Sequence, residues 1–511
     1  MPVADAVRVQ PGDASGSEAA SPRRIARIEL LGIALVVAAA FLLRFWGVTH
    51  MHFWDENVYL LNAEYFYSGH AGYTEIDERP PLLPLLFTAA FHLWHSDYAA
   101  EIVTALLNAL GPVFLYLAGR KMMGRSAAAI AALLLAFGPF FVGACPTGSG
   151  GFVENCDGHS LLTDCPALTL IALALWLGVR ALEKHTSLRF AWFGFAMALP
   201  VLMRFGSLSS VGILALLALG AKRRVRAAAA CGAGFVVGMG PYLCWSRIRY
   251  GGFFETLHRG WQNFGGDKQP LDYYVKILPE MITWIGVAGL VMCLVRRGVE
   301  LWRARMHGKP TGDAVATRRF FSWDAFLWFW AAAVLVFFST LNHQESRYGL
   351  PFTLPLLLLA GVGLSWPASG TKRPARIAGA ALVGVLMIAA CWMSFERLRG
   401  PFVDRSESEE MVVGEYLKSS LPPTAIVYAN LDYPDFAYYS GLQVIDLPES
   451  GPELDTDLAQ LPANSIFVAE KADPMDGGPA PQPPIAQMDA DPRFVRLKDL
   501  PAAVIYRRVG F

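Results

Sequence analysis

The feature that most constrains this chain is a series of long apolar stretches separated by short polar segments. A helix needs roughly 20 apolar residues to cross about 30 Å of hydrocarbon. About eleven stretches of roughly 15–22 residues approach this length, and the short pair near 190–221 leaves the count open. The sequence therefore predicts a polytopic α-helical membrane protein. The stretches lie near residues 30–43, 98–119, 127–144, 161–181, 190–203, 206–221, 227–245, 281–295, 320–340, 351–366 and 376–394.

Composition supports the membrane class. Charged residues make up only 17% of the chain, whereas soluble proteins carry about 25%, so there are too few to cover several soluble domains. Basic and acidic residues balance at 43 each, which gives no indication of a nucleic-acid partner. The seven cysteines lie mostly in apolar stretches and match neither a metal-finger spacing nor a full disulfide framework.

The N-terminal segment is predicted to be a disordered cytoplasmic tail over residues 1–22, because it is rich in Ala, Gly, Ser and Pro. Arg23, Arg24 and Arg27 then precede the first apolar stretch, an arrangement that would also suit a signal peptide. The segment after that stretch, RFWGVTHMHFWDE, is bulky and lacks a small-residue cleavage site. An uncleaved first span is therefore favoured, within a membrane domain at residues 23–397.

Basic residues predict the orientation of the spans. They cluster in five connections on the N-terminal side: 120–125, 184–189, 222–226, 296–309 and 371–376. Because cytoplasmic loops are enriched in Lys and Arg, we expect a cytoplasmic N-terminus in the inner (plasma) membrane. The loops predicted to lie outside are 48–97, 144–160, 246–280 and 341–350. Within the first of them, RPPLLPLLFTAAFHLWH begins with prolines and is expected to lie on the membrane surface or to form a short half-helix.

The C-terminal region, residues 398–511, is predicted to be an extracytoplasmic α/β domain. ESEEMVVGEYLKSSLPP has the pattern of a helix, and AIVYAN, QVIDLP, SIFVAEK, RFVRLK and AVIYRR have the pattern of strands. It contains no Gly-rich phosphate-binding motif and no Ser/His/Asp constellation, so it is assigned no chemistry.

The outer loops contain the candidate site. Asp55 and Glu56 follow Phe53 and Trp54, and aromatic neighbours that reduce solvation raise the proton affinity of a carboxylate towards that of a useful base. The alternative is a solvated acidic helix start, favoured by the helix dipole. Glu78 and Arg79 stand before two prolines that stiffen the backbone, with an incidental ion pair as the alternative.

Three further positions complete the set. Asp164 opens an apolar stretch, as a site residue or a helix cap. Arg204 lies between two short stretches, where it suits either interfacial anchoring or a lipid phosphate. The pair Arg347–Tyr348 begins another stretch, with the same two interpretations.

The cysteines and the metal content of the outer loops each have two interpretations. Cys145 and Cys156 bracket a loop on the predicted oxidising face, so a disulfide and two free thiols are both compatible with the sequence. No His/Cys/Asp cluster has clear metal spacing, so no obligatory metal is predicted, although His52 near Asp55 leaves a divalent ion open.

Four motifs in order resemble those of a known family: FWDENVYLLNAEYFYSG, ERPPLLPLLF, LLTDCPALTLIALALWL and RYGLPFTLPLLLLAGVGL. They are similar to motifs of the protein O-mannosyltransferase and aminoarabinose-transferase superfamily, polyprenyl-phosphate-sugar-dependent glycosyltransferases with the GT-C fold. The resemblance covers roughly residues 23–394. It implies about eleven transmembrane helices and sugar transfer from a polyprenyl-phosphate carrier to an acceptor on the outer face.

The resemblance also implies residue roles. Asp55 corresponds to the catalytic base, with Glu56 beside it, and Glu78 and Arg79 correspond to a charged motif that often has Lys at the second position. Asp164 corresponds to an acidic residue that opens a later span, and Arg347–Tyr348 to a pair near the donor phosphate. The loop CPTGSGGFVENCDGHS is longer than is usual in the family, and the residues after Glu56 lack a basic residue found in some relatives.

The chemistry of the residues agrees with this resemblance. A sugar on a phosphodiester has a good leaving group, so a base for the acceptor and cations for the departing phosphate suffice. Asp55 would be the base, and Arg79, Arg204 and Arg347 the cations, with inversion at the anomeric carbon. The implied partners are the lipid-linked donor, membrane lipids and an acceptor hydroxyl or phosphate on an envelope glycan, lipid or protein.

Two other functions remain possible from the sequence alone. One is a transporter or flippase for a polar lipid or lipid-linked sugar, which should carry its ionisable groups near the bilayer midplane and show repeated halves. The other is a non-catalytic scaffold whose C-terminal domain binds a partner.

Overall fold

The computed structural model describes eleven segments of the chain. They are residues 22–45, 54–69, 79–142, 161–262, 268–307, 322–342, 344–369, 373–399, 409–448, 451–471 and 485–509.

Within the described residues, helices occupy every apolar stretch predicted from the sequence. In the membrane part they are α1 Pro22–Phe45, α2 Trp54–Ser68, α3 Leu82–Phe91, α4 Asp97–Met122, α5 Arg125–Phe137, α6 Pro139–Val142, α7 Asp164–Lys184, α8 Ser187–Met203, α9 Leu208–Ala215, α10 Arg224–Tyr250, α11 Glu255–Gln262, α12 Tyr273–Lys276, α13 Leu278–His307, α14 Trp323–Ser339, α15 Leu350–Ser365 and α16 Arg373–Arg399. Short 3₁₀ turns lie at Phe205–Ser207, Leu216–Gly220, Ser346–Gly349 and Pro367–Ser369.

Several of these helices have the length and hydropathy of membrane spans, as a multi-pass membrane protein requires. Among the described residues, five apolar helical segments of 20–27 residues qualify by themselves: Asp97–Met122, Asp164–Lys184, Arg224–Tyr250, Leu278–Arg303 and Ser346–Ser365. Further apolar helices are shorter, including the predicted half-helix α3, whose ten residues are too few to cross the bilayer.

Two stretches differ from the continuous spans that the sequence suggests. In 127–144, α5 ends at Phe137 and Gly138 is extended before α6 begins at Pro139. Proline lacks the N–H that a helix interior needs and disfavours helical geometry in the residue before it, which explains the break. In 206–221, α9 is flanked by two 3₁₀ turns, in a segment whose glycines lower helix propensity.

A buried arginine closes the break between α5 and α6. Arg44, near the end of α1, is only 2% exposed. Its guanidinium donates hydrogen bonds to four backbone carbonyl oxygens, those of Ala40, Leu135, Ala136 and Phe141, at 2.9–3.3 Å. Because a helix end leaves its last carbonyl groups unpaired, Arg44 supplies the donors that the end of α5 lacks.

Close backbone packing joins the helices of the bundle. α8 and α10 lie against each other, and a Cβ on Gly194 would stand 1.8 Å from the carbonyl oxygen of Cys231. Only glycine fits at this crossing, as is common where membrane helices pack through small residues. The contact fixes α8, which ends at Met203 immediately before Arg204.

The C-terminal part is an α/β domain, as predicted. It contains α17 Glu409–Ser420, β1 Ile426–Ala429, α18 Tyr433–Ser440, β2 Gln443–Asp446, α19 Pro452–Gln460, β3 Ile466–Glu470, α20 Ile485–Ala490, β4 Phe494–Asp499 and β5 Ala503–Arg508. All five predicted strands are present, in the order β2-β1-β3-β5-β4. β1 pairs parallel with β2 and β3, whereas β5 pairs antiparallel with β3 and β4.

Candidate active site

The site is built around Asp55, the second residue of α2. Its Oδ1 lies 2.8 Å from Nη2 of Arg79, and its Oδ2 accepts a hydrogen bond from Nη1 of Arg347, also at 2.8 Å. Arg79 lies just before α3 and Arg347 just before α15, so segments distant in sequence converge on one carboxylate. The Asp55 side chain is 17% exposed, which leaves these ion pairs partly shielded from solvent.

A short turn before α15 presents Arg347 and Tyr348. Glu345 accepts a hydrogen bond from Nε of Arg347, and its Oε1 accepts one from the Tyr348 hydroxyl at 3.0 Å. The Tyr274 hydroxyl donates to the backbone carbonyl of Glu345, also at 3.0 Å. A Cβ on Gly349 would come within 2.9 Å of the Tyr274 ring, so this close support depends on glycine.

A second ion pair lies beside the first. Asp164, the first residue of α7, is 3% exposed, and its Oδ2 accepts a hydrogen bond of 2.5 Å from Nη1 of Arg204. The Arg204 guanidinium also lies over the ring of Tyr348, 4.8 Å from its centre, in cation–π geometry. The two ion pairs therefore form one network around Tyr348.

The two arginines control the protonation of Asp55. Burial alone would raise the pKa of its carboxyl, but the positive charges of Arg79 and Arg347 outweigh burial and hold this pKa below the ordinary value. Asp55 is therefore ionised at neutral pH, and its negative charge is balanced by the two guanidinium groups. Tyr59, one helical turn further along α2, is buried, and burial raises the pKa of its hydroxyl.

Six of the eight residues singled out from the sequence belong to this network: Asp55, Arg79, Asp164, Arg204, Arg347 and Tyr348. Glu56 differs from the expectation, because it is buried and its Oε1 accepts a hydrogen bond of 2.6 Å from the backbone N–H of Leu161. That contact indicates a structural role, and substrate binding by Glu56 stays a prediction. Glu78, Cys145 and Cys156 lie outside the described residues.

Three further residues of the site were not assigned individual roles from the sequence. Glu345 is one of the ionisable residues of the predicted outer loop 341–350, two positions before Arg347. Tyr59 is four residues after Asp55, on the same helical face, and its hydroxyl lies 3.3 Å from Oγ1 of Thr163. Tyr274, in α12, contacts the turn that carries Arg347. No pattern in the sequence singled it out.

The described residues contain no group of three or more His, Cys, Asp or Glu side chains arranged to hold a metal ion. Carboxylates of the site face guanidinium groups instead. This arrangement suits an anionic substrate group that replaces carboxylates on the arginines, because guanidinium groups bind phosphate oxygens through strong charge-assisted hydrogen bonds.

Comparisons with known proteins agree with this fold. Residues 78–245 match a family model described as dolichyl-phosphate-mannose-protein mannosyltransferase. No curated protein sequence matches the chain. The fold is similar to that of ArnT from Cupriavidus metallidurans bound to undecaprenyl phosphate, with 16% sequence identity, a TM-score of 0.62 and coverage of 94% of this chain and 98% of that one.

Two further structures share the fold. ArnT from the same organism in the apo state has 17% identity and a TM-score of 0.64, with 94% of this chain and 98% of that chain covered. Archaeal oligosaccharyltransferase AglB from Archaeoglobus fulgidus, in complex with an inhibitory peptide and a dolichol-phosphate, has 12% identity and a TM-score of 0.55, over 87% of this chain and 70% of AglB. Residues 78–245 are therefore similar to a family of sugar transferases that use dolichyl-phosphate-mannose, and the chain shares its fold with ArnT and AglB.

Proposed function

We propose that this chain transfers a sugar from a polyprenyl-phosphate carrier to an acceptor hydroxyl or phosphate at the outer face of the inner membrane. The N-terminus would be cytoplasmic and the C-terminal domain extracytoplasmic. The observation that carries the proposal is the pair of contacts at 2.8 Å that join the Asp55 carboxylate to Arg79 and Arg347. The structures of ArnT with undecaprenyl phosphate and of AglB with dolichol-phosphate support a donor of this class.

The arginines would hold the phosphate of the donor. Arg79, Arg204 and Arg347 each lie against a carboxylate, at 2.5–2.8 Å. A phosphate can replace these carboxylates without loss of charge-assisted hydrogen bonds. Held in this way, the bridging oxygen of the donor accepts the electrons of the breaking anomeric C–O bond, and the carrier departs as polyprenyl phosphate. No strong general acid is needed for such a leaving group.

Asp55 would act as the base. When a phosphate takes over Arg79 and Arg347, the charges that lower the pKa of Asp55 are partly neutralised while its burial remains. The proton affinity of Asp55 therefore rises in the complex with the donor. The acceptor oxygen attacks the anomeric carbon opposite the phosphate, and its proton passes to Asp55, so the anomeric configuration inverts.

The position of the charged groups argues against a transporter. Asp164 begins α7, Arg204 follows the end of α8, and Arg347 precedes α15. If these helix ends lie at the outer face, as we propose, the charged groups are away from the bilayer midplane, where a transporter carries its substrate site.

The test uses the full-length protein in vesicles with polyprenyl-phosphate-linked mannose or aminoarabinose as donor and an extract of envelope glycans, lipids and proteins as acceptor. Release of polyprenyl phosphate is measured by mass spectrometry. Asp55→Asn should lower kcat by about 10²–10⁴-fold, as expected for the loss of a general base. Asp272→Asn is the control, because Asp272 is 57% exposed and pairs only with Lys276 among the ion pairs found.

The outcomes separate the candidate functions. Unchanged turnover in the Asp55→Asn protein would remove Asp55 as the base, and retention of the anomeric configuration would exclude a single displacement. Movement of intact lipid-linked sugar across the vesicle, without release of polyprenyl phosphate, would favour a flippase.

A further inference from the structure

The helix that carries Asp55 lies between the two parts of the protein. Val58 and Leu61 of α2 are buried in the core of the C-terminal domain, with residues such as Phe436. Tyr59 and Leu60, on the other side of α2, are buried in a core formed with the membrane part. The C-terminal domain therefore covers one face of the helix that begins at the active site.

The first turn of α2 is attached to this domain by a buried hydrogen bond. Nδ2 of Asn57 donates to Oδ1 of Asp435, in α18. Asn57 is completely buried and Asp435 is only 5% exposed. Asn57 stands two residues after Asp55, and the residue between them, Glu56, is bound to the backbone of Leu161. The turn is thus held from the membrane part through Glu56 and from the C-terminal domain through Asn57.

Burial of the Asp435 carboxyl in this position costs free energy of folding. Burial raises its pKa well above the ordinary value, the negative charge of Asp432 adds to this, and the hydrogen bond from Asn57 offsets only part of it. An apolar residue of similar size is often more stable than a buried polar or ionisable pair, whereas a buried polar contact can specify one geometry. The Asn57–Asp435 hydrogen bond is therefore best explained as a contact that holds α2 in one defined position.

We propose that Asp435 is a positioning residue for sugar transfer: through Asn57, the C-terminal domain sets the position of the Asp55 carboxylate at the start of α2. This inference rests on the proposed function, because it assigns to the C-terminal domain a part in the reaction that Asp55 performs. Asp435 itself touches neither the reacting atoms nor the arginines of the site in the contacts described above.

The effect should fall on the rate of the chemical step. The full-length protein is assayed in vesicles with polyprenyl-phosphate-linked mannose or aminoarabinose, whichever the wild type turns over. In Asp435→Ala we expect kcat to fall about tenfold or more, since small misplacements of catalytic groups cost large factors in rate. The KM for the donor should stay within about twofold, because the arginines are unchanged. Asp435→Asn keeps an acceptor oxygen for Asn57 and should retain most of the activity.

An exchange of the two side chains provides the decisive comparison. Asn57→Asp alone replaces the amide donor by a second carboxyl group beside Asp435, so the hydrogen bond from Nδ2 is lost and kcat should fall. The double variant Asn57→Asp with Asp435→Asn restores one amide–carboxyl hydrogen bond with reversed polarity, and should recover most of the lost rate. Gln487→Ala is the control, because it removes an exposed 2.8 Å hydrogen bond to Asp455 at the surface of the same domain.

Each outcome decides the proposal. It is overturned if Asp435→Ala has the kcat of the wild type, if only the KM changes, or if the double variant fails to recover. If Asp435→Ala does not fold, the exchange pair alone decides. An inactive Asp55→Asn protein beside a fully active Asp435→Ala protein removes this inference alone, whereas a wild type that turns over neither donor removes the proposed function together with it.

Discussion

The Arg204 guanidinium lies over the Tyr348 ring, with its Cζ 4.8 Å from the ring centre, and this contact joins two ion pairs into one network. Within it, Arg79, Arg204 and Arg347 face Asp55, Asp164 and Glu345. Positive and negative charges are therefore balanced among these residues. A phosphodiester adds negative charge to a balanced set, so its binding favours the uptake of the acceptor proton by a carboxylate.

Substitution of Arg204 tests whether this network binds phosphate. Arg204→Met leaves the buried Asp164 carboxylate without its ion pair, and truncation of one partner of a buried charge pair costs about 2–5 kcal/mol. We expect binding of undecaprenyl phosphate to weaken at least about tenfold. Arg204→Lys keeps the positive charge but not the flat guanidinium that stacks on Tyr348. Its affinity for undecaprenyl phosphate should therefore lie between those of the wild type and of Arg204→Met.

Binding of undecaprenyl phosphate to the detergent-solubilised protein can be measured by native mass spectrometry. Arg189→Met is a suitable control, because the Arg189 guanidinium donates a solvent-exposed hydrogen bond to the backbone carbonyl of Arg180. Equal affinity in the wild type and the Arg204→Met protein would show that Arg204 only anchors the chain at the interface.

The pH dependence of the reaction should report the charges around Asp55. Arg79 and Arg347 hold the pKa of Asp55 below its ordinary value against the effect of burial. The acidic limb of kcat/KM, which reflects the free enzyme, should therefore lie below the ordinary Asp pKa of about 3.9. In Arg79→Gln one positive charge is lost while burial remains, so this limb should move to higher pH. A limb at the same pH in both proteins would contradict the electrostatic control of Asp55.

The sequence predicted the positions of the helices and strands well, for a physical reason. Runs of apolar residues and period-two alternation are local properties that persist in the folded chain. The break at Gly138 could also have been read from the sequence, because Pro139 follows it directly. The apolar stretch 127–144 was predicted as continuous because hydropathy alone does not detect a proline break.

Contacts between distant side chains could be predicted only in part. The convergence of Asp55, Arg79 and Arg347 followed from assigning their loops to one side of the membrane and from the family resemblance. The role of Glu345 and the Asn57–Asp435 hydrogen bond depend on how the turns and the C-terminal domain pack. No periodic pattern encodes such packing, so these features required the structure.

Arg44 should be essential for stability rather than for chemistry. Arg44→Met removes the donors to the carbonyl oxygens of Leu135, Ala136 and Phe141. A buried acceptor left without a donor costs about 1–3 kcal/mol. We expect a lower midpoint of thermal unfolding in detergent, with an unchanged KM in the protein that remains folded. Arg125→Met, at a side chain that is 66% exposed, should leave the midpoint unchanged. Equal midpoints for the two variants would show that the carbonyl groups find other donors.

Glu470, at the end of β3, should make the stability of the C-terminal domain depend on pH. Its side chain is 6% exposed, and burial together with the negative charge of Asp432 raises the pKa of its carboxyl. The folded protein therefore keeps a proton that the unfolded chain releases above about pH 4.3. Stability consequently falls as pH rises from there towards the raised pKa, with a slope of up to about 1.4 kcal/mol per pH unit for this single group.

Glu470→Gln removes the titration while it keeps the shape of the side chain. In the full-length protein, the rate of proteolysis within the C-terminal domain should therefore depend less on pH between about 5 and 8 than in the wild type. Glu453→Gln, at an exposed position in the first turn of α19, should keep the dependence of the wild type. An identical pH dependence in all three proteins would mean that Glu470 is ionised in the folded domain. Asp432 would then have to be the protonated member of the pair, because two ionised carboxylates in a buried contact repel each other too strongly to remain together.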